Sequence, residues 1–223
     1  MKTSIAHLRQ DYQLQSLDIA DVDPNPFVQF AKWFEDTIKA EILEPNAMTL
    51  STATPEGKPS SRIVLLKGLE FHHPELQTGG FVFYTNYNSQ KGEEMAANPH
   101  VSLCFNWLDL QRQVRIEGTV SKVSADISTE YFNSRPKLSR IGAWVSNQSQ
   151  VVPDRAYLEN RFKELSEKYE DTEGVPRPAH WGGYIVKPTL IEFWQGRRSR
   201  LHDRICYTKL EGSEEWKIER LAP

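Results

Sequence analysis

Cysteine is nearly absent: Cys104 and Cys206 are the only two in 223 residues, and each falls inside a strand-like run. Two separated thiols exclude a disulfide framework and lack the spacing of a metal site, so they read as buried thiols of a reducing compartment. An excess of charge of one sign is missing too, since 27 Lys and Arg stand against 30 Asp and Glu for a net −3. Nucleic-acid binders carry a basic excess, so that class is set aside and any phosphate chemistry has to be local. No run approaches the roughly 18 apolar residues of a membrane span, and residues 1–9 have no apolar core of signal-peptide length. A cytoplasmic protein without a membrane partner is expected. Internal repeats, low-complexity linkers and a Gly-rich nucleotide loop are all lacking. What is present, 39% hydrophobic and 11% aromatic residues, suffices to build the core of one domain at this length.

Residues 1–22 are polar with few apolar anchors and read as a mobile arm whose contact residues are Arg9 and Tyr12. The rest, 23–223, reads as a single domain. Asn25 caps a helix with Pro26 at its first position; Phe27, Phe30, Ala31, Phe34, Ile38 and Ile42 give it an apolar face that ends near Pro45. The period then becomes strand-like over 47–53 and 60–67, around a turn at 54–58. A loop follows with His72 and His73, which have no third ligand nearby and so hold no metal. After a strand at 80–85, Ser89 caps a short helix stopped at Asn98 and Pro99, which puts Lys91 where free amides and the helix dipole favour an anion. Strands at 100–107 and 113–123 complete a meander of the kind that closes into a barrel. In the helices expected at 126–133 and 138–145, Tyr131, Arg135 and Ser139 recur every four residues; their hydroxyls and guanidinium suit a phosphate monoester, although Pro136 interrupts the face. A polar loop at 146–150, a packing helix at 153–169 and strands at 181–186, 191–194, 205–208 and 216–221 finish the chain.

The most informative stretch runs from Ile191 to Arg204. An apolar β-rich run leads into a turn at Gly196, and if 200–204 is extended, Arg200, His202 and Arg204 share one face. Two guanidiniums flanking an imidazole make an anion site. The competing reading is a solvated hairpin edge whose cations only discourage aggregation.

Six segments decide between these readings: Ile191-Glu192-Phe193-Trp194-Gln195 with Arg200-Leu201-His202-Asp203-Arg204; Arg62-Ile63-Val64-Leu65-Leu66-Lys67; Phe83-Tyr84-Thr85-Asn86; Tyr131-Phe132-Asn133-Ser134-Arg135-Pro136; Ile141-Gly142-Ala143-Trp144-Val145-Ser146; and the terminal run from Trp216 to Pro223. With these in order, the chain resembles the pyridoxamine 5′-phosphate oxidase family from end to end. The resemblance implies an FMN-binding split β-barrel, an α+β fold that is mainly β, forming a homodimer with two active sites at the subunit interface. It further implies oxidation of pyridoxine and pyridoxamine 5′-phosphates by O2 to pyridoxal 5′-phosphate, with H2O2 and, from the amine, NH3. Carried over by position, the FMN contacts are Arg62, Ile63, Val64, Leu65, Leu66, Lys67, Tyr84, Thr85, Lys91, Gln113, Gln148, Ser149, Trp194 and Arg204. The substrate contacts are Arg9, Tyr12, Lys67, Tyr131, Arg135, Ser139, Arg200, Leu201 and His202, with Arg200 and His202 as the catalytic pair. One position departs: Gln90 stands where the family pattern leads one to expect Arg, and Arg197 and Arg198 are the cations that would compensate. Two other readings are weighed. A flavin split-barrel oxidoreductase for another substrate would lack part of the set from Tyr131 to His202, all of which is present. A non-catalytic flavin or pyridoxal-phosphate carrier would follow if Gln90 weakened the cofactor.

Overall fold

The computed structural model describes residues 11–73, 78–172 and 174–223. In chain order its elements are α1 (Pro26–Lys39), β1 (Ala47–Ala53), β2 (Pro59–Leu65), β3 (Gly68–His73), β4 (Thr78–Asn86), α2 (Gln90–Ala97), β5 (His100–Trp107), β6 (Arg112–Lys122), α3 (Ala125–Ser134), α4 (Lys137–Val145), α5 (Arg155–Lys168), β7 (Trp181–Gln195), β8 (Asp203–Lys209) and β9 (Trp216–Arg220). The fold is mainly β with peripheral helices. The strands hydrogen-bond in the order β2-β1-β5-β6-β7-β4-β3, with β8 added to β7 and β9 to β8. Contacts divide the span read as one domain into two compact units: one holds the N-terminal part through Thr49 with Ser102–Glu117 and Pro188–Pro223, the other holds Leu50–Val101 and Gly118–Lys187.

In the first unit, the Asn25 side chain accepts the Phe27 N–H at 2.9 Å and Pro26 opens α1, as its sequence predicts. The buried stripe differs from the expected one: it runs through Phe27, Phe30, Trp33 and Thr37, while Ile38 is 59% exposed. The helix also stops earlier, because Glu41 and Glu44 take left-handed φ of 53° and 47° ahead of Pro45. Phe30 meets Phe105 and Trp107, and Trp33 meets Phe193, which in turn meets Tyr207. Edge-on aromatic contacts of this kind add to the area they bury. Part of the arm expected to be mobile is pinned here: Leu17 is buried, its N–H donates to Asp203 at 3.0 Å, and Arg220 donates to its carbonyl at 2.9 Å. Arg9 lies outside the described residues.

The second unit carries two small cores, one of Val82, Val123 and Ile185, the other of Ile141, Val145 and Val175 under the apolar face of α5. The Ser89 side chain caps α2 by accepting the Gly92 N–H, again as expected. Gly92 is required sterically, since a Cβ there would run into the Tyr87 carbonyl.

Two strand expectations are corrected. The segment read as a loop around His72 and His73 is β3, which pairs with β4 through Gly68↔Val82 to Glu70↔Gly80. Strands expected at 181–186 and 191–194 are one strand, β7, continuous through Pro188. The partner along one edge of β7 changes here, from β4, paired as far as Val186, to β8, paired from Leu190, and Pro188 falls between the two.

Candidate active site

The site residues form two groups, each within its own unit. In the second unit a cavity of about 770 Å³ is lined by Arg62, Ile63, Val64, Leu65, Lys67, Tyr84, Thr85, Lys91, Tyr131, Arg135, Ser139, Gln148 and Ser149 from the expected set, joined by Ser60, Ser61, Gln90, Pro136 and Trp181. The strands β2 and β4, the link between β2 and β3, the start of α2, the α3–α4 junction, the loop after α4 and the start of β7 supply them. Leu66 is buried and is not one of the lining residues.

Charge in this cavity is unevenly paired. The guanidinium of Arg62 donates to Thr52 Oγ1 at 2.5 Å and Ser60 Oγ at 2.6 Å, and lies 3.4 Å from the buried carboxylate of Glu94. Glu94 also accepts from Ser60 at 2.6 Å, from Gln90 Nε2 at 2.8 Å and from Thr52. Burial pushes the Glu94 carboxyl up, but the bonds from Ser60, Thr52 and Gln90, with the charge of Arg62, outweigh it and bring it down to about 2. Gln90 thus spends its amide on Glu94, leaving Arg62 as the cation that neutralises it. Arg197 and Arg198, the cations that could compensate for Gln90, are engaged elsewhere: Arg197 with Asp203 at 3.6 Å, and Arg198 with Gln13.

Lys91 is different. It is only 8% exposed, and its ammonium donates to Gln148 Oε1 at 3.0 Å, Thr85 Oγ1 at 3.2 Å and Ser89 Oγ at 3.3 Å, all neutral oxygens. No carboxylate pairs with it among the described residues, and burial, helped by Arg62, lowers its pKa. Arg135 is in the same position: its Nη1 is buried without a hydrogen-bond partner, and burial lowers its pKa, with the Tyr131 hydroxyl opposing. Neither has an anionic partner among the described residues, and a desolvated cation without one is costly, so both point to anionic ligands. Tyr84 stacks on Tyr131 with centroids 3.8 Å apart, and burial, then Tyr131, pushes its hydroxyl up to about 12. Ser149 adopts a left-handed φ of 70°, and its Oγ accepts the Gln90 N–H at 3.2 Å.

Glu94 gives a prediction. Its folded pKa is depressed, so its stabilisation is present above 4.5 and lost as pH falls through about 2. Glu94→Gln is therefore expected to lower the melting temperature at pH 6, with the gap to wild type closing as pH approaches 2. A gap of the same size at both pH values would remove the assigned ionisation.

The second group lies in the first unit. Here the expected extended face of Arg200, His202 and Arg204 is not found. The register of β7 and β8 closes at Gln195↔Asp203, so 196–202 must turn the chain; Arg198–Arg200 form a 3-10 turn with Ser199 and Arg200 at left-handed φ of 58° and 61°. Arg204, on β8, is separated from them by its pairing: Nε and Nη2 donate to Glu192 at 3.0 and 2.8 Å, and Nη1 to the Ala222 carbonyl at 2.8 Å. Trp194, His202 and Tyr12 do assemble, with Trp194 and His202 centroids 4.7 Å apart and Tyr12 edge-on to both at 5.8 and 5.6 Å. Gly196 permits this, since a Cβ there would come within 2.8 Å of the Tyr12 ring. The Gln111 side chain accepts the Gln13 N–H at 2.9 Å and so fixes the segment bearing Tyr12. His202 Nδ1 accepts the Arg197 N–H at 3.0 Å, so the neutral ring carries its proton on Nε2. Burial and then Arg200 lower its pKa, against Asp203. Leu201 and Arg200 are exposed, and Gln113 is half-buried on β6.

Glu94, Trp181, Gln111 and Glu192 are the residues sequence reasoning missed. Only Glu94 left a trace there, four residues after Gln90 on one helix face. Among the described residues there is no cluster able to hold a metal ion, and no helix is long and apolar enough to cross a membrane.

Residues 34–169 match the family model "Pyridoxamine 5'-phosphate oxidase", and residues 181–223 match "Pyridoxine 5'-phosphate oxidase C-terminal dimerisation region". A pyridoxine/pyridoxamine 5'-phosphate oxidase of Nostoc sp. strain PCC 7120 is 56% identical over 223 residues, covering 100% of both chains. The crystal structure of PhzG from Burkholderia lata 383, in complex with tetrahydrophenazine-1-carboxylic acid, aligns with a TM-score of 0.85 at 25% identity, covering 96% of this chain and 100% of that one. A pyridoxamine 5'-phosphate oxidase-related, FMN binding protein of Nostoc punctiforme shares the fold, with a TM-score of 0.67 at 16% identity over 94% of this chain and 100% of its own. The chain belongs to the pyridoxamine 5′-phosphate oxidase family of oxidoreductases.

Proposed function

We propose that this protein oxidises pyridoxine and pyridoxamine 5′-phosphates to pyridoxal 5′-phosphate with FMN as cofactor and O2 as the final acceptor, as a homodimer with active sites at the subunit interface. The observation that carries this is a pair of cations lining one cavity, buried Lys91 and half-buried Arg135, neither with an anionic partner among the described residues. They match a reaction in which cofactor and substrate each bring a phosphate. Bound FMN supplies the hydride acceptor and, on reoxidation by O2, the H2O2. Lys91, Thr85, Gln148 and Ser149 hold the FMN phosphate, with Arg62 fixed beside them by Glu94. Tyr131, Arg135, Ser139 and Lys67 hold the substrate phosphate. Trp194 and the family positions Gln113 and Arg204 complete the cofactor contacts, with Arg204 held in place by Glu192. Arg200 and His202 face the pyridine ring, with Arg9, Tyr12 and Leu201 closing over it. His202 serves as a donor through Nε2–H, because its Nδ1 lone pair is already used. Oriented donors and exclusion of water are the protein's share of the rate.

The test is the visible spectrum of the purified protein, then aerobic addition of pyridoxine 5′-phosphate with peroxide and pyridoxal 5′-phosphate read in the same cuvette. A flavin spectrum with both products is expected. A colourless protein that stays inactive with saturating FMN overturns the reading in favour of a non-catalytic binder.

A further inference from the structure

Trp181 opens β7 and lines the cavity, 7% exposed. Its indole lies within 10° of parallel to Tyr84 and 5° to Tyr131, at centroid distances of 5.5 and 6.2 Å. The guanidinium of Arg135 sits over the same indole, Cζ 4.6 Å from the ring centroid. Among the described residues the only other ring under this guanidinium is that of Phe132, at 5.5 Å, and Nη1 of Arg135 is buried without a hydrogen-bond partner. The backbone of Trp181 is itself fixed: its N–H donates to Pro178 O at 3.0 Å, and its carbonyl accepts Arg177 Nη1 at 2.5 Å. Gly183 leaves room for the stack, since a Cβ there would come within 2.7 Å of the Tyr84 ring.

A guanidinium bonded to a carboxylate would be both held and neutralised. One held only by ring faces is held and still charged, with its N–H edge free for an anion. We propose that Trp181 is a positioning residue that sets the preference for a phosphorylated over an unphosphorylated ligand by presenting Arg135 unpaired to the phosphate. This rests on the reading that Arg135 binds the substrate phosphate.

The test uses 4-deoxypyridoxine 5′-phosphate and 4-deoxypyridoxine, which have no oxidisable group at C4′ and no aldehyde, so that binding is measured without turnover. Both are titrated into FMN-loaded wild type, Trp181→Leu and Trp181→Phe by equilibrium dialysis, with FMN affinity followed by flavin fluorescence. Trp181→Leu is expected to weaken the phosphorylated ligand about tenfold, the scale of a desolvated cation–π contact, and the unphosphorylated one by less than about twofold. Trp181→Phe, which keeps a ring face, is expected to stay within about threefold of wild type for both. Equal weakening of the two ligands, no weakening, or equal losses in the Leu and Phe variants would overturn the proposal. Should Trp181→Leu fail to fold, the Phe variant is made in an Arg135→Met background. There its residual effect on the phosphorylated ligand should vanish, and persistence would equally overturn the proposal. Wild-type turnover tests the oxidase reading separately, so the two failures are distinguishable.

Discussion

Replacing Lys91 by Met is expected to weaken FMN about 100-fold while making the FMN-free protein harder to melt. The first effect follows from losing a charge-assisted bond to a phosphate in a buried position, worth about 1.5–3 kcal/mol. The second follows from the same burial. Because the pKa of Lys91 is lowered in the folded state, its charged form is a cost below that pKa, one relieved only as pH rises through it. Met has a similar stem and no charge, so a gain of about 2–4 °C in melting temperature is expected, the equivalent of about 1 kcal/mol at this chain length. Opposite signs in the two measurements identify a cation placed for a ligand. A variant that binds FMN within about threefold of wild type, or that loses stability in step with FMN affinity, would show that Lys91 is merely structural.

Arg200→Ala and His202→Ala are each expected to lower kcat/KM at least about 100-fold, or about 3 kcal/mol of transition-state stabilisation. The comparison at 200 is clean, since Ala bears the same left-handed backbone cost as Arg. For His202 the pH profile adds a second readout. Its lowered pKa keeps the ring neutral at pH 7, and the Arg197 N–H on Nδ1 keeps the proton on Nε2. The acid limb of kcat/KM attributable to this ring should therefore lie below the ordinary histidine value of 6.5 and be absent from His202→Ala. If both variants kept kcat/KM within about twofold, the pair would have no role in the chemical step.

Local patterns were legible where the chain decides its own conformation. β1 and β5 are read to the residue, and the caps at Asn25 and Ser89 are found because a side-chain acceptor just before an apolar period has few other uses. What failed depends on distant partners. β3 lacks alternation and becomes a strand only by pairing with β4, and β7 runs on through Pro188 where its neighbour along one edge changes from β4 to β8. The turn at 198–200 is imposed by the register of β7 on β8, which no spacing rule sees. In the site, the identities of Lys91, Tyr131 and Arg135 were legible and their partners were not. Glu94 reaches Thr52 and Ser60 across 42 and 34 residues, and the Trp181 face under Arg135 has no signal beyond a tryptophan at a strand start.

The bond between the Arg197 N–H and His202 makes residue 197 chemically anonymous to the imidazole. The proton's location on the ring is set by a main-chain group, which nineteen of the twenty amino acids supply and proline alone withholds. Drift at this position can therefore change the surface charge of the loop, or its contacts with Asp203 and Gln15, while the ring keeps the same tautomer. A single codon change to proline would reach the imidazole without touching it.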